Sequence, residues 1–263
     1  MRNLVFSLII LTLMSQNHMI YQDKELVKVN IISDWDGASD KFYLGVRFTI
    51  SPGWYIYWRN PGDAGLAPEI KLILPPSLKS GEIQFPIPVK IVHGDIVSFG
   101  YYNEVVLLIP IQVVSNEAVK RQSNIKVHLN WLVCSESCIP GNATVEYKLK
   151  KTSDVEKRLI KKYKDMLPKK FESSGLTIKN FNVEKKGNSN LVKIELSGKN
   201  LDRVQDFYPD FMDNFLIDLK SIKVRDGKIE MLITPTVANA KVNFLSGIVV
   251  INGEGYELNL KQK

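Results

Sequence analysis

The chemistry of this 263-residue chain is expected at its only two cysteines, Cys134 and Cys138. Three residues, Ser135, Glu136 and Ser137, separate the two thiols. If the chain turns back after Cys134, the two Cα atoms come within the roughly 4.4–6.8 Å that a disulfide requires. Isolated cysteine pairs at short spacing form disulfides in oxidising compartments. The spacing therefore predicts a Cys134–Cys138 disulfide.

Three roles are open for this pair: thiol–disulfide exchange, a structural bridge and metal binding. The chain-entropy model assigns only about 2 kcal/mol to a five-residue loop, and local, exposed disulfides exchange readily, so exchange is favoured. A metal site needs further ligands, for which His93 and His128 are available. On an extended strand His128 lies roughly 20 Å from Cys134. We therefore expect neither a metal nor a cofactor.

Short alternating segments predict that strands position the cysteine pair. Phe42 to Ile50 places an apolar side chain at every second residue, and Ile125 to Val133 leads directly into Cys134. Pro/Gly turns separate the strands of the first half, among them Asn60-Pro61-Gly62. Further strands are predicted at Leu26–Ile32, Ile70–Leu74, Glu104–Val114, Thr144–Leu149, Leu176–Val183, Leu191–Leu196, Phe215–Val224, Lys228–Ile233, Val242–Ile251 and Tyr256–Leu260. Many short strands with such breaks indicate antiparallel sandwiches.

A single helix is predicted between the two groups of strands, at Thr152–Leu167. Ser153 is a suitable N-cap and Glu156 completes a capping box. Residues 151–170 hold eight Lys and Arg against three Asp and Glu. This basic face is either solvated or attracted to anionic lipid headgroups, so membrane contact is expected to be peripheral at most.

The N-terminus has the pattern of an export signal, with Arg2 followed by the apolar run Leu4–Met14. Eleven helical residues cover only about half of a roughly 30 Å hydrocarbon core. We therefore expect cleavage rather than anchoring, and a periplasmic mature protein. The predicted organisation is a signal peptide at 1–22, a redox sandwich at 23–150, a helical linker at 151–172 and a second sandwich at 173–263.

The formal net charge of +7 resides mostly in the helical segment. Nucleic-acid binding calls for a basic face interleaved with aromatic residues. Residues 151–170 are rich in lysine but contain a single tyrosine, so a nucleic-acid partner is not expected.

Several motifs resemble the N-terminal periplasmic domain of DsbD-type thiol–disulfide interchange proteins, especially the ScsB-like branch. The strongest is Trp131-Leu-Val-Cys134-Ser-Glu-Ser-Cys138-Ile-Pro-Gly141. The others are Gly53-Trp-Tyr-Ile-Tyr-Trp-Arg-Asn-Pro-Gly62, Phe99-Gly-Tyr-Tyr102, Asp206-Phe-Tyr-Pro209 and the segment Leu245–Glu257. Together they extend the resemblance over nearly all of residues 25–263.

The resemblance implies an all-β fold of two immunoglobulin-like antiparallel sandwiches joined by a short basic helix. It implies that Tyr55 and Tyr57 lie beside the cysteines. It also implies that a cap loop, Asp95 to Gly100, shields the pair, with Phe99 as the shielding ring. The alternative for the two tyrosines is ordinary packing in the sandwich.

The resemblance further implies that the pair accepts electrons from a thioredoxin-like domain and reduces periplasmic partner disulfides. Full-length members continue into a membrane electron-transporting domain and a thioredoxin-like domain, so we expect the donor on a separate chain. We therefore predict a periplasmic thiol–disulfide oxidoreductase that relays electrons through Cys134 and Cys138. The alternative is a non-catalytic periplasmic adaptor with a structural disulfide that recruits redox or copper-handling partners.

Overall fold

Alternating apolar side chains fold the first part of the chain into ten strands. The computed structural model describes residues 25–115 and 124–262, so the predicted signal peptide lies outside the described residues. The strands are β1 (Val27–Ser33), β2 (Lys41–Ile50), β3 (Tyr55–Gly62), β4 (Glu69–Ile73), β5 (Leu78–Ser80), β6 (Val89–His93), β7 (Ile96–Tyr102), β8 (Glu104–Val113), β9 (Asn124–Cys134) and β10 (Cys138–Lys148).

These strands form two facing antiparallel sheets. The back sheet has the order β1-β2-β8-β5, and the front sheet has the order β10-β9-β3-β7-β6, with β4 also paired to β9. Alternate side chains of β2 are buried between the sheets, as the period of two predicts. From the front sheet, Trp131 packs edge-on against Phe48 with ring centroids 5.7 Å apart. Each large apolar side chain buried in this way contributes about 1.5–3 kcal/mol.

Helix α1 (Asp154–Asp165) follows the first sandwich and matches the helical prediction. The Ser153 side chain accepts from the Glu156 backbone N–H and the Glu156 side chain reaches back, forming the predicted capping box. Ile160 and Tyr163 are the buried residues of the helix, and the Tyr163 hydroxyl donates to the Glu104 carbonyl at 3.0 Å. The helix therefore packs on the first domain through one apolar stripe.

Eight further strands build a second sandwich. They are β11 (Lys169–Lys170), β12 (Thr177–Lys186), β13 (Ser189–Ser197), β14 (Val204–Pro209), β15 (Phe215–Arg225), β16 (Lys228–Pro235), β17 (Phe244–Ile251) and β18 (Glu254–Lys261). Two 3₁₀ helices, Phe171–Ser174 and Leu201–Arg203, lie between strands. The sheets have the orders β11-β18-β17-β14 and β12-β13-β16-β15.

Two tight hairpins of the second sandwich match their sequence signals. Asp226-Gly227 joins β15 to β16, and Asn252-Gly253 joins β17 to β18. All four residues have positive φ, between 49° and 79°, which the primed two-residue turns require. The chain is thus all-β, with two immunoglobulin-like sandwiches and a short basic helix between them.

Three predicted boundaries need correction. The predicted loop Asp95 to Gly100 is mostly strand β7, and the predicted turn Asn60-Pro61-Gly62 forms the last residues of β3. The return strand predicted from Thr144 begins at Cys138. In each case a Gly or Pro that interrupts the sequence pattern lies inside a strand. No helix in the described ranges, 25–115 and 124–262, is long and apolar enough to cross a bilayer.

Candidate redox site

The two cysteines face each other across a β-hairpin. Strands β9 and β10 pair in an unbroken antiparallel register from Asn124↔Lys148 to Cys134↔Cys138. The Ser135 backbone N–H donates to the Ser137 carbonyl at 3.0 Å, which closes the loop. The two Cα atoms are 4.2 Å apart, and a disulfide joins the sulfurs. The register of an ordinary hairpin therefore brings the two thiols together.

The two ends of the disulfide differ in exposure. Cys134 has no solvent-accessible surface, because it belongs to a small apolar cluster with Tyr55, Tyr57 and Ile91. Cys138 is exposed at the start of the edge strand β10. A reagent from solvent therefore meets Cys138 before it meets Cys134.

The hydroxyl of Tyr57 is the polar group closest to the buried sulfur among the described hydrogen bonds. It donates to Cys134 Sγ at 3.2 Å and lies 3.5 Å from Cys138 Sγ. Burial, with a smaller effect of the Tyr55 hydroxyl, raises the pKa of Tyr57 well above its ordinary value. Tyr57 therefore stays protonated and acts as a hydrogen-bond donor rather than as a base.

An aromatic wall borders the site on the side of β7. Tyr55 pairs with Cys134 on one flank and with Tyr102 on the other. Its ring centroid is 5.3 Å from that of Tyr57, 5.5 Å from that of Tyr102 and 6.0 Å from that of His93. These contacts hold the Tyr57 ring in place, so the direction of its hydroxyl is set by packing.

The backbone at Gly65 covers the Tyr57 ring. A Cβ at this position would lie 2.1 Å from Tyr57 Cζ, and the residue has φ +100°. Both facts require glycine. The next residue, Leu66, is 67% exposed, so the loop between β3 and β4 places an apolar side chain in solvent beside the site.

Comparison with known proteins agrees with this geometry. The sequence model of the family described as thiol:disulfide interchange protein DsbD, N-terminal, matches residues 22–150. This part of the chain belongs to the DsbD N-terminal family. The resemblance inferred from the motifs is thereby confirmed.

A solved structure extends the comparison to both sandwiches. The N-terminal periplasmic domain of ScsB from Proteus mirabilis matches with a TM-score of 0.72 and 21% identity, over 91% of this chain and 94% of that chain. This likeness shows a shared two-domain fold. The titin Ig tandem domains A164-A165 match with 8% identity over 89% of this chain and 94% of that chain, and their TM-score of 0.21 supports no argument. No curated protein matches the chain.

In this DsbD N-terminal domain, Tyr55 and Tyr57 lie beside the sulfurs, but Phe99 does not. Phe99 is fully buried on the opposite face of the front sheet, where its ring packs on Trp58 and Tyr208. The assignment of Phe99 as the shielding ring is therefore corrected. The physical reason is strand alternation: within β7, Gly100 lies opposite Tyr57, so Phe99 points the other way.

From the pair of strands β6 and β7, Ile91 joins the apolar cluster around the buried sulfur. It is 4% exposed and packs in the cluster that contains Tyr57 and Cys134. Gly100 makes room for it, since a Cβ there would lie 2.4 Å from the Ile56 carbonyl oxygen and 3.3 Å from the Ile91 side chain. The sequence signal for Ile91 is the alternation within Val89–His93, which covers too few residues to predict a strand.

Within the described residues, no three His, Cys, Asp or Glu side chains converge as a metal-binding group. His128 Nδ1 instead lies 2.9 Å from Thr144 Oγ1 on the neighbouring strand. The fold brings His93 to the aromatic wall, where it contacts the ring of Tyr55. The two histidines therefore lie in different surroundings, and His93 is the one that borders the redox site.

Proposed function

We propose that the chain relays electrons between protein partners in the periplasm by thiol–disulfide exchange at Cys134 and Cys138. The observation that carries the proposal is the asymmetry of the disulfide: Cys138 is exposed, while Cys134 is buried under a tyrosine hydroxyl. Membership of a thiol–disulfide interchange family supports the same chemistry.

Reduction of the pair begins at the exposed sulfur. A thiolate of the donor attacks Cys138 Sγ, the Cys134–Cys138 bond breaks, and the electron pair leaves with Cys134 as a thiolate. A second donor thiolate then attacks the donor sulfur of the mixed disulfide and releases Cys138 as a thiolate. The donor leaves as a disulfide, and the pair has gained two electrons and, at neutral pH, two protons from solvent.

Transfer to the substrate uses the same sulfur in reverse. The Cys138 thiolate attacks a partner disulfide and forms a mixed disulfide, while one partner sulfur leaves as a thiolate. Cys134 then attacks Cys138 Sγ, which restores the internal disulfide and releases the partner's second thiolate. In this scheme Cys138 exchanges with partners and Cys134 resolves.

Tyr57 assists each step in which Cys134 carries negative charge. A hydroxyl that donates to a sulfur stabilises the thiolate relative to the thiol. The Tyr57 hydroxyl lies 3.2 Å from Cys134 Sγ, and the raised pKa of Tyr57 keeps its proton available for donation. Cys134 is thereby a better leaving group than burial alone would allow.

The proposed partners are proteins. The donor is a thioredoxin-like domain or a membrane electron transporter on a separate chain, and the acceptors are periplasmic proteins that carry disulfides. Export by a cleaved signal peptide is part of the proposal, and the chemistry requires no cofactor.

Single-cysteine variants test the assignment of the two sulfurs. Cys134→Ser should accumulate a covalent complex with a redox partner, because Cys138 remains exposed and no thiol can resolve the mixed disulfide. Cys138→Ser should capture little, because Cys134 is buried. The measurement is a non-reducing gel of variants expressed in the periplasm, with the double variant as control.

The other outcomes are equally informative. Capture by Cys138→Ser alone would exchange the two roles. Capture by neither variant would contradict the relay and favour an adaptor with a structural disulfide.

A further inference from the structure

The second domain contacts the front sheet from behind the redox site. From β6, Lys90 Nζ lies 2.8 Å from Asp206 Oδ2, and both side chains are about three-quarters buried. From β7, the ring centroid of Phe99 lies 5.0 Å from that of Tyr208. Neighbouring contacts join Asn60 to the Pro209 carbonyl, Arg59 to Asp210, and Asp95 to Lys220. Strand β14 therefore runs across β6, β7 and β3.

The strands β6 and β7, with the turn Gly94-Asp95, form a ribbon whose two faces have different neighbours. Lys90 and Phe99 are directly paired, so both lie on the face that meets the second domain. Ile91 is the next residue and points to the opposite face, where it belongs to the apolar cluster that also contains Tyr57 and Cys134. One ribbon thus separates the second domain from the buried sulfur.

The β6 strand of the ribbon is supported by its own sheet along one edge. Strand β6 is the last strand of the front sheet and, among the described strands, pairs with β7 alone. Strand β7 pairs with β3 through Tyr55↔Tyr102 to Tyr57↔Gly100 and, after a register shift, again at Gly62↔Ser98. Contacts from the second domain are therefore a substantial part of what fixes the position of Ile91.

We propose that the second domain is a positioning element of the redox site. Through Asp206 and Tyr208 it holds the β6–β7 ribbon so that Ile91 packs in the apolar cluster that buries Cys134. This role rests on the proposed exchange function and extends it to the domain that carries no cysteine. Lys90, Asp206 and Tyr208 are positioning residues, since none of them is among the residues packed on the sulfurs.

The test uses Cys134 as a reporter of ribbon opening. The chain has two cysteines, so Cys138→Ser leaves a single buried thiol whose alkylation requires the cluster around it to open. In this background, Lys90→Glu places a second negative charge beside Asp206. We expect alkylation by a small reagent to become about two- to fivefold faster, the range over which an ion pair of this exposure shifts an opening equilibrium.

Rescue and a matched control separate positioning from general destabilisation. Asp206→Lys combined with Lys90→Glu restores opposite charges, and the alkylation rate should return towards the starting value. Lys179→Glu breaks an ion pair with Glu195 inside the second domain and should leave the rate unchanged. If Lys90→Glu does not fold, Lys90→Ala takes its place, with the same expected direction.

An unchanged alkylation rate in a folded Lys90 variant overturns the positioning role. So does an increase that the charge swap fails to reverse, or one that Lys179→Glu reproduces. Alkylation needs no protein partner. Failure of this test is therefore distinct from failure of the relay, which the captured complexes of Cys134→Ser report.

Discussion

Among single residues, Tyr57 does most to distinguish this disulfide from a plain hairpin bridge. Its hydroxyl is within hydrogen-bonding distance of both sulfurs. Its ring is held between the Tyr55 ring and the Gly65 backbone. A buried thiolate without such a donor would be costly, because burial favours the neutral form. In the proposed exchange, the hydroxyl is therefore expected to control how readily Cys134 leaves when Cys138 is attacked.

Replacing Tyr57 by Phe removes this donor while keeping the ring. We expect dithiol exchange to slow by about tenfold, since a hydrogen bond to a charged group contributes about 1.5 kcal/mol. Stopped-flow reduction of the purified protein by a small dithiol measures the effect. Tyr102→Phe serves as the control, because it alters a tyrosine that lies farther from the sulfurs than Tyr57 does. Equal rates for the wild-type protein and Tyr57→Phe would remove the hydroxyl from the mechanism.

At the scale of elements, the β6–β7 ribbon gives its two faces separate tasks. Phe99 on the inner face is a core residue, fully buried against Trp58 and Tyr208. Ile91 on the outer face belongs to the apolar cluster that buries Cys134. Truncating one residue should therefore affect stability, and truncating the other should affect access to the sulfur.

Phe99→Ala should cost about 3–5 kcal/mol of unfolding free energy, the usual range for a buried aromatic ring. Ile91→Ala in the Cys138→Ser background should instead accelerate alkylation of Cys134 at denaturant concentrations where the fold is intact. Urea unfolding and alkylation rates measured on both variants provide the comparison. Faster alkylation in Phe99→Ala at matched stability would return Phe99 to the role of cap.

The sequence predicts the strands that carry this site better than it predicts the ribbon. Phe42–Ile50 and Ile125–Val133 alternate without interruption, so β2 and β9 are predictable from their period. The ribbon is interrupted by Gly94-Asp95 and Gly100. Gly100 looks like a loop signal, yet it is required inside β7 because Ile56 approaches too closely for any side chain. Period alone cannot report such a long-range contact.

The same limit applies to the site. The cysteines and both tyrosines are recognisable by type and motif, but Ile91 joins the cluster of Cys134 only through the pairing of β6, β7 and β3. That pairing joins segments more than thirty residues from Cys134 along the chain, with no local signal. The roles of the tyrosines remain predictions, which the Tyr57 variant tests.

At the scale of the whole molecule, the two sandwiches share part of their core. Tyr208, Leu219, Ile248 and Val250 of the second domain belong to the main apolar cluster of the first. Neither sandwich can unfold without exposing apolar surface of the other, which couples their unfolding.

We therefore expect one thermal unfolding transition for the oxidised protein, with equal calorimetric and van't Hoff enthalpies. Reduction should leave the fold intact and lower stability only modestly, because the five-residue loop contributes about 2 kcal/mol. Differential scanning calorimetry with and without reductant measures both. Two separate transitions would show that the shared cluster does not couple the domains.

The exposure of Cys138 alone has a kinetic consequence for the proposed relay. In that relay, donor and acceptor both form their mixed disulfide at Cys138, since Cys134 is closed to solvent. The two partners therefore cannot occupy the protein together and must visit it in turn, so the turnover is of the ping-pong kind. An excess of either partner slows the other by occupying the shared docking position. The ratio of the two partners in the compartment, and not only their separate concentrations, then sets the flux of electrons.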